Sequence, residues 1–476
     1  MYVILMIKNI NFSEYKDKFK DYTKNFFIDQ NVKKNYGIVY TPFLLVEQIL
    51  TEIPNFQYKK LDNKWLDVGS GFGNFSFILY EKLFNSLKDN FFDTNILHDN
   101  IINNMIYMSE INDIHIKYLN NLFGENINLL DNFLTLDNNI YNNYFDIIIG
   151  NPPYNYGVIK TPTNNIISKK SDGKSIWQQF IIKALDLLKD KGYLCMIIPV
   201  IWLKPDKAGI YNLLTQYKII KLFCFSNSET NKIFNYEAQT PTCFFILQKE
   251  FNIDNNINIY DKIYKIYIPY NLQLNYPIPM FNISIINKFL YYVKKYGYIN
   301  VHKTNSPSIN CNFATHFSQF YSYKSINSCI LTGDNKLIPE LLETYCNIPT
   351  SYYQIPKIIL AHKMYGIPFL DISGSYGISA RDNYVIKDYS IDQLKNISLF
   401  FSTKTILFLY NSTAYRMKYL EKYIFYFIPD ISKIESLNNL PNNIDEREKI
   451  ICDFFNLSNL ERETIQNSVK NYKFFI

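Results

Sequence analysis

Trp65-Leu66-Asp67-Val68-Gly69-Ser70-Gly71-Phe72-Gly73-Asn74 reads as a short apolar strand running into a glycine-rich turn, with helix-like sequence behind it. Glycines at 69, 71 and 73 let the backbone turn sharply and approach a bound nucleoside closely. Alone, the stretch indicates no more than a tight strand–helix turn. It belongs, however, to a series. Strand-like runs at Lys64–Val68, Met105–Ser109, Phe145–Ile149, Tyr193–Ile198, Ile219–Phe225 and Thr242–Gln248 alternate with helical stretches such as Thr41–Ile53 and Ile176–Lys189. Apolar strands separated by amphipathic helices predict an α/β fold with a mostly parallel, doubly wound, Rossmann-like sheet over residues 36–255.

The strand after the glycine turn, Met105–Ser109, ends at Glu110. An acidic side chain in that place can accept both hydroxyls of a ribose. The gap from Gly73 to Glu110 exceeds the usual ~20 residues, and the Asn/Asp-rich stretch 85–104 reads as a surface insertion that accounts for the surplus. Two further Asn/Asp-rich stretches, 8–35 and 252–258, read the same way.

The sharpest feature is Phe145-Asp-Ile-Ile-Ile149-Gly150-Asn151-Pro152-Pro153-Tyr154, an apolar strand that drives straight into Asn-Pro-Pro-Tyr. Two consecutive prolines fix the backbone and remove two N–H donors. The loop therefore presents acceptors, the Asn151 side-chain oxygen and the Pro152 carbonyl. Two acceptors beside an amino group can hold its two hydrogens and aim its lone pair at an electrophile, while Tyr154 offers a flat face to a planar substrate.

With 476 residues, the chain is long enough for two or three domains, and 47% hydrophobic residues supply ample cores. The polar Lys249–Asn258 stretch marks a boundary, giving an N-terminal extension (1–35), a catalytic domain (36–255) and a C-terminal domain of mixed α+β character with terminal helices (256–476). Strand-like Lys262–Ile268 and Lys357–Leu360, the turn Gly374–Gly377 and helical Asn443–Val469 belong to the last. Lys, Asn, Ile, Tyr and Phe crowd the chain in the manner of an AT-rich coding sequence, so single Lys or Tyr residues carry little information. The net charge of +6 suits a polyanionic partner without requiring one. Seven scattered cysteines without a CxxC pair argue against a zinc site and a disulfide framework, and fit an intracellular location. The apolar start Met1–Ile7 lacks the flanks of a signal peptide, and no run reaches the ~20 residues of a membrane span.

On these motifs, the chain resembles the amino-methyltransferases and, more narrowly, the gamma-class N6-adenine DNA methyltransferases. The resemblance is good over 36–250 and looser beyond. It implies S-adenosyl-L-methionine as cofactor, no metal, double-stranded DNA as substrate, and a C-terminal target-recognition domain. Tyr36-Gly37 with Tyr40-Thr41-Pro42 resembles the motif that touches the methionine part of the cofactor. Asp67, Gly69, Gly71 and Gly73 resemble the glycine-rich cofactor motif, and Glu110 the ribose acid. Asp131-Asn132-Phe133 resembles the motif that reads the cofactor adenine, with Asn132 where the family carries Asp, so that either Asp131 or Asn132 takes that role. Phe180 is either a neighbour of that adenine or a core aromatic. Asn151, Pro152, Pro153 and Tyr154 match the catalytic loop, Asn151 also facing the cofactor, and Phe234 the aromatic that meets the flipped base opposite Tyr154.

Basic candidates for DNA contact are Lys357, Lys363, Arg381 and Arg416, with Lys303, Lys324 and Lys418 behind them; for any one of these a solvated surface role is the commoner outcome. The chain has four arginines, Arg381, Arg416, Arg447 and Arg462, which predicts a target poor in arginine–guanine contacts. Fewer than 40 residues precede the first motif, which leaves no room for a nuclease domain and points to a modification enzyme, solitary or served by a separate restriction endonuclease, as a monomer or weak dimer. Two other readings stand beside this one. An amino-methyltransferase acting on RNA or on a protein glutamine uses the same loop geometry, and an inactive DNA-binding subunit would keep the fold without needing the loop.

Overall fold

The structure, a computed structural model, describes residues 7, 10–23, 39–156, 174–305, 310–361, 366–381, 383–416 and 420–475. Tyr36-Gly37, Lys363 and Lys418 lie outside these. The chain divides into two compact units, Met1–Asn258 and Ile259–Ile476.

In the first unit, the helix α1 (Phe12–Thr23) precedes α2 (Phe43–Thr51), β1 (Trp65–Val68) and α3 (Asn74–Leu87). Then come β2 (Ile106–Ser109), α4 (Asp113–Phe123), β3 (Asn128–Leu130), β4 (Phe145–Gly150), the small hairpin of β5 (Asn155–Tyr156) with β6 (Lys174–Ser175), and α5 (Trp177–Leu187). β7 (Leu188–Pro199), β8 (Tyr217–Phe225), α6 (Asn227–Ile233) and β9 (Thr242–Phe251) follow, and β10 (Asn256–Asp261) carries the chain across the boundary. Seven strands order as β3-β2-β1-β4-β7-β9-β8. The first five are parallel, and β9 runs antiparallel between β7 and β8. The order reverses between β1 and β4, and crevices at the carboxyl ends of such strands are where doubly wound sheets take ligands.

Register places the motifs side by side. Val68 of β1 lies opposite both Ser109 of β2 and Gly150 of β4, so the glycine turn, Glu110 and Asn151 all leave the sheet on one edge. Gly150 is dictated by this arrangement. Its φ is +144°, and a Cβ there would stand 2.7 Å from the Val68 carbonyl oxygen. Gly73 caps α3 at φ +78°, where a Cβ would meet Leu119 at 2.8 Å. Trp65, Leu66, Ile147, Ile148 and Ile149 are fully buried, as parallel strands covered on both faces require.

Two Asn/Asp-rich stretches read as surface insertions are in part helical among the described residues. Within 85–104, Thr94–Asn100 is helical and runs into a π-helical turn, Ile101–Met105, burying Leu97, His98, Ile101, Ile102 and Met105. Within 8–35, α1 packs on the core: the Tyr15 ring lies 4.3 Å from that of Phe77, and its hydroxyl is 2.6 Å from that of Tyr118. Sparse apolar residues at helical spacing suffice when a neighbouring core completes the burial. The expected helix Ile176–Lys189 stops at Leu187 because β7 begins at Leu188.

The second unit holds β11 (Ile266–Asn271), α7 (Ile283–Tyr296) and two four-stranded sheets. One joins β12 (His302–Lys303), β16 (Lys357–Leu360), β17 (Pro368–Asp371) and β19 (Tyr384–Ile386) in the order β12-β19-β16-β17. The other joins β13 (Phe313–Ala314), β14 (Tyr323–Thr332), β15 (Ile338–Cys346) and β18 (Gly377–Ile378) in the order β13-β15-β14-β18. Helices α8 (Ile391–Phe401), α9 (Lys404–Leu409), α10 (Ile444–Phe454) and α11 (Asn459–Ser468) close the unit, the last two replacing one expected helix. Among the described residues, no helix is long and apolar enough to cross a membrane.

Candidate functional site

A cavity of about 430 Å³ opens at the carboxyl edge of the first unit's sheet. Its lining includes Tyr40, Thr41, Gly69, Gly71, Glu110, Asn132, Phe133, Asn151, Pro152, Pro153, Tyr154, Phe180 and Phe234, drawn from stretches nearly 200 positions apart in sequence. Four other expected cofactor residues do not line it, each for a local reason. The Pro42 carbonyl starts α2 by accepting from Leu45 and Val46, and Gly73 caps α3. Asp67 is 1% exposed and turns inward, accepting from the Ser76 hydroxyl at 2.7 Å. Burial pushes its carboxyl up to about 7, against the Ser76 bond that favours the charged form. Asp131 is exposed and its carbonyl accepts from Ser109 at 2.5 Å, so of the two candidates it is Asn132 that faces the cavity.

Thr41 organises the polar wall. Its hydroxyl accepts from the Asn151 side-chain amide at 3.1 Å, and its carbonyl accepts from the Asn74 amide at 2.8 Å. Both asparagines are thereby oriented, and the Oδ1 of each is buried without a hydrogen-bond donor. Buried acceptors are rarely left so unless something else is to occupy them. The Tyr154 hydroxyl reaches the Ile197 carbonyl at 3.5 Å, the limit of a hydrogen bond, and burial drives its ionisation well above the ordinary tyrosine range. The tyrosine is thus a neutral aromatic surface. The Tyr154 carbonyl accepts from the Ile176 N–H, which braces the loop against the start of α5. Phe133 and Phe180 stack with ring centres 5.2 Å apart, so Phe180 is a buried aromatic that also lines the cavity.

Glu110 is held from several directions. Its Oε1 accepts from the N–H groups of Ile111 and Asn112, and its Oε2 from the Gly71 N–H at 2.7 Å. His115, on α4, brings Nδ1 to 3.2 Å from Oε2. Burial opposes the charge, but His115 and the backbone donors outweigh it and hold the carboxyl below its ordinary range. His115, Ser109 and Glu237 line the cavity without having been anticipated as site residues, and Asn74 lines it as well. Asn74 was visible as the end of the glycine motif; a single histidine on an amphipathic helix gave nothing to find.

In the second unit, one expectation fails outright. Lys357 is fully buried, and its ammonium donates to Asp371 at 2.6 Å in a site where Asp371 also accepts from the N–H groups of Ser375 and Tyr376. It is a strut of β16 and β17, with no face left for DNA. Arg447 is likewise buried, donating to the carbonyls of Pro441, Asn442 and Ser402. Arg462 pairs with Asp453 at 2.6 Å. Arg381, Arg416, Lys303 and Lys324 are exposed.

Residues 74–234 match the Eco57I restriction-modification methylase family. This segment is similar to the Eco57I methylases. An uncharacterized adenine-specific methylase of Mycoplasma pneumoniae is 31% identical over 154 residues, covering 30% of this chain and 34% of that protein. The type II restriction enzyme and methyltransferase RM.Eco57I of Escherichia coli is 30% identical over 158 residues, 30% of this chain and 15% of that protein. The chain thus matches about a third or less of these relatives' length. Among solved structures, the type IIL restriction-modification enzyme MmeI in complex with DNA matches with a TM-score of 0.50 at 12% identity, over 96% of this chain and 82% of that one. The shared fold therefore extends past the Eco57I-like segment into both units.

Proposed function

We propose that this protein transfers a methyl group from S-adenosyl-L-methionine to the N6 amine of adenine in double-stranded DNA, as the modification activity of a restriction-modification system. The observation that carries the reading is the Asn151 side chain, whose amide nitrogen is tied to Thr41 while its oxygen is buried on the cavity wall without a donor. An acceptor fixed in this way suits an N–H of a planar amine. Similarity to an adenine-specific methylase supports adenine as the base.

The cavity's size falls within the ~300–1,000 Å³ of small-ligand sites, and its lining fits the cofactor's parts. Among the lining residues, Glu110 would hold the ribose, Asn132 with Phe133 and Phe180 the adenine, and Tyr40 with Thr41 the methionine end. When bound, S-adenosyl-L-methionine supplies an electrophilic methyl group on a sulfonium. Asn151 and the Pro152 carbonyl then hold the amine's hydrogens and direct its lone pair. The target base must leave the duplex stack, and Tyr154 and Phe234 give it aromatic faces worth ~1–3 kcal/mol of stacking. Positioning and charge stabilisation supply the rate. In this reading, the second unit reads the target, with exposed Arg381 and Arg416 as contacts, and any cleavage belongs to a separate endonuclease.

Expression in a host lacking adenine methylation, followed by sequencing that detects N6-methyladenine, tests the reading. A motif-specific signal that Asn151→Ala sharply reduces is expected. No DNA signal, with methyl transfer into RNA or protein glutamine instead, would replace the substrate, and a normal signal from Asn151→Ala would remove the loop from catalysis.

A further inference from the structure

His115 has no part in the chemistry above, yet it lines the cavity and is 1% exposed. Its Nε2 lies 2.9 Å from the Tyr40 hydroxyl and its Nδ1 lies 3.2 Å from Glu110 Oε2. A carboxylate beside Nδ1 selects the tautomer that carries the proton there, which leaves Nε2 to accept from Tyr40. Phe72, between Gly71 and Gly73, presses on this group, with its ring centre 4.8 Å from that of Tyr40 and 4.7 Å from that of His115. Nδ1 sits off the line of a good hydrogen bond and has no other partner among the described residues. The imidazole is therefore held mainly through Tyr40 and abuts the carboxylate.

Glu110 has about four lone-pair positions, and three accept backbone N–H groups, from Ile111, Asn112 and Gly71. The remaining one is on Oε2, the oxygen that His115 Nδ1 approaches to 3.2 Å without a well-aligned hydrogen bond. A ribose hydroxyl that approaches Glu110 must share that edge with Nδ1 or displace the Gly71 contact. Where the imidazole sits thus decides how the carboxylate meets a sugar, and the Tyr40 hydroxyl decides where the imidazole sits.

We propose that His115 is a positioning residue that couples Tyr40 to Glu110, so that the two ends of the cofactor site are set together; this rests on the cofactor reading given above. Tyr40→Phe removes the hydroxyl from the stretch assigned to the methionine end. It nevertheless weakens binding of adenosine, which has no methionine part, by about tenfold, the usual order for one lost buried hydrogen bond. In a His115→Phe background, the same change has no further effect. His115→Gln, which keeps a donor and an acceptor, restores part of the loss, and His115→Phe raises KM for S-adenosyl-L-methionine more than it lowers kcat.

Calorimetry of the full chain with adenosine and with S-adenosyl-L-homocysteine measures this double-mutant cycle, with circular dichroism confirming the fold of each variant. Non-additive losses support the coupling. Equal effects of Tyr40→Phe in both backgrounds, or none in either, overturn it. Should His115→Phe fail to fold, His115→Gln takes its place, and undiminished adenosine binding by Tyr40→Phe overturns the coupling alone. A wild-type protein that binds neither probe overturns the cofactor reading and the coupling with it.

Discussion

Two loops leave neighbouring parallel strands on the same edge of the sheet, and they have opposite hydrogen-bond character. The loop after β1, Gly69–Gly73, is built of glycines and keeps its N–H groups, one of which donates to Glu110. The loop after β4, Asn151–Tyr154, has lost two N–H groups to prolines and offers an unpaired side-chain acceptor. One strand register sets both, since Val68 lies opposite Gly150. A donor loop suits the hydroxyls and carboxylates around a nucleoside, and an acceptor loop suits an amine. In the function proposed above, the contrast would divide the cavity into a side that binds and a side that reacts.

The largest test of that division is Asn151→Ala. Removing one preorganised polar group at a reacting centre costs about 10²–10³ in turnover; kcat should fall on this scale, far more than cofactor affinity does, while the thermal midpoint stays near wild type. A loss of cofactor affinity equal to the loss of turnover would erase the distinction. Tyr154→Ala should come next, with a loss of about ten- to a hundredfold from ~1–3 kcal/mol of stacking, read in kcat/KM for duplex DNA. It should be smaller on a substrate whose target adenine is mispaired and leaves the stack more readily. Gly73→Ala places a Cβ at φ +78° against Leu119 and should cost ~1–2 kcal/mol of stability, measured by urea unfolding, together with weaker cofactor binding. An unchanged midpoint would show that the donor loop tolerates side chains.

The smallest effect concerns the acid beneath the donor loop. Burial raises Asp67 from 3.8 to about 7, so the folded state keeps a proton that the unfolded chain releases between those values. Stability from this group is complete below the unfolded pKa and is lost as pH rises through the folded one. Asp67→Asn, which cannot ionise, should gain on the wild type between about pH 4 and about pH 7 in parallel unfolding titrations. A constant difference across that range would contradict the shift. Glu110, stabilised in its charged form, works in the opposite direction.

Much of the donor–acceptor contrast was legible in the sequence. Glycine and proline act through their own backbones, and apolar runs of strand length announce a buried parallel sheet before any partner is known. The features that were hidden depend on partners distant in sequence. Lys357 reads as a candidate for DNA until Asp371, 14 positions on, neutralises it in the interior. His115 acquires a role only when Tyr40, 75 positions away, reaches its ring. The helix at Thr94–Asn100 is concealed by asparagines that face solvent while Leu97 and Ile101 supply the burial. The clamp by which Thr41 orients Asn74 and Asn151 joins three stretches that no local pattern connects.

The central claim is that the acceptor loop directs an amine of adenine in DNA toward a methyl donor. It is tested most directly by incubating the purified protein with labelled S-adenosyl-L-methionine and duplex DNA, then identifying the methylated nucleoside after digestion. The account predicts N6-methyl-2′-deoxyadenosine from the wild-type protein and about a hundredfold less or lower still from Asn151→Ala. Label in another base, label confined to RNA or protein, or equal label from Asn151→Ala would contradict it.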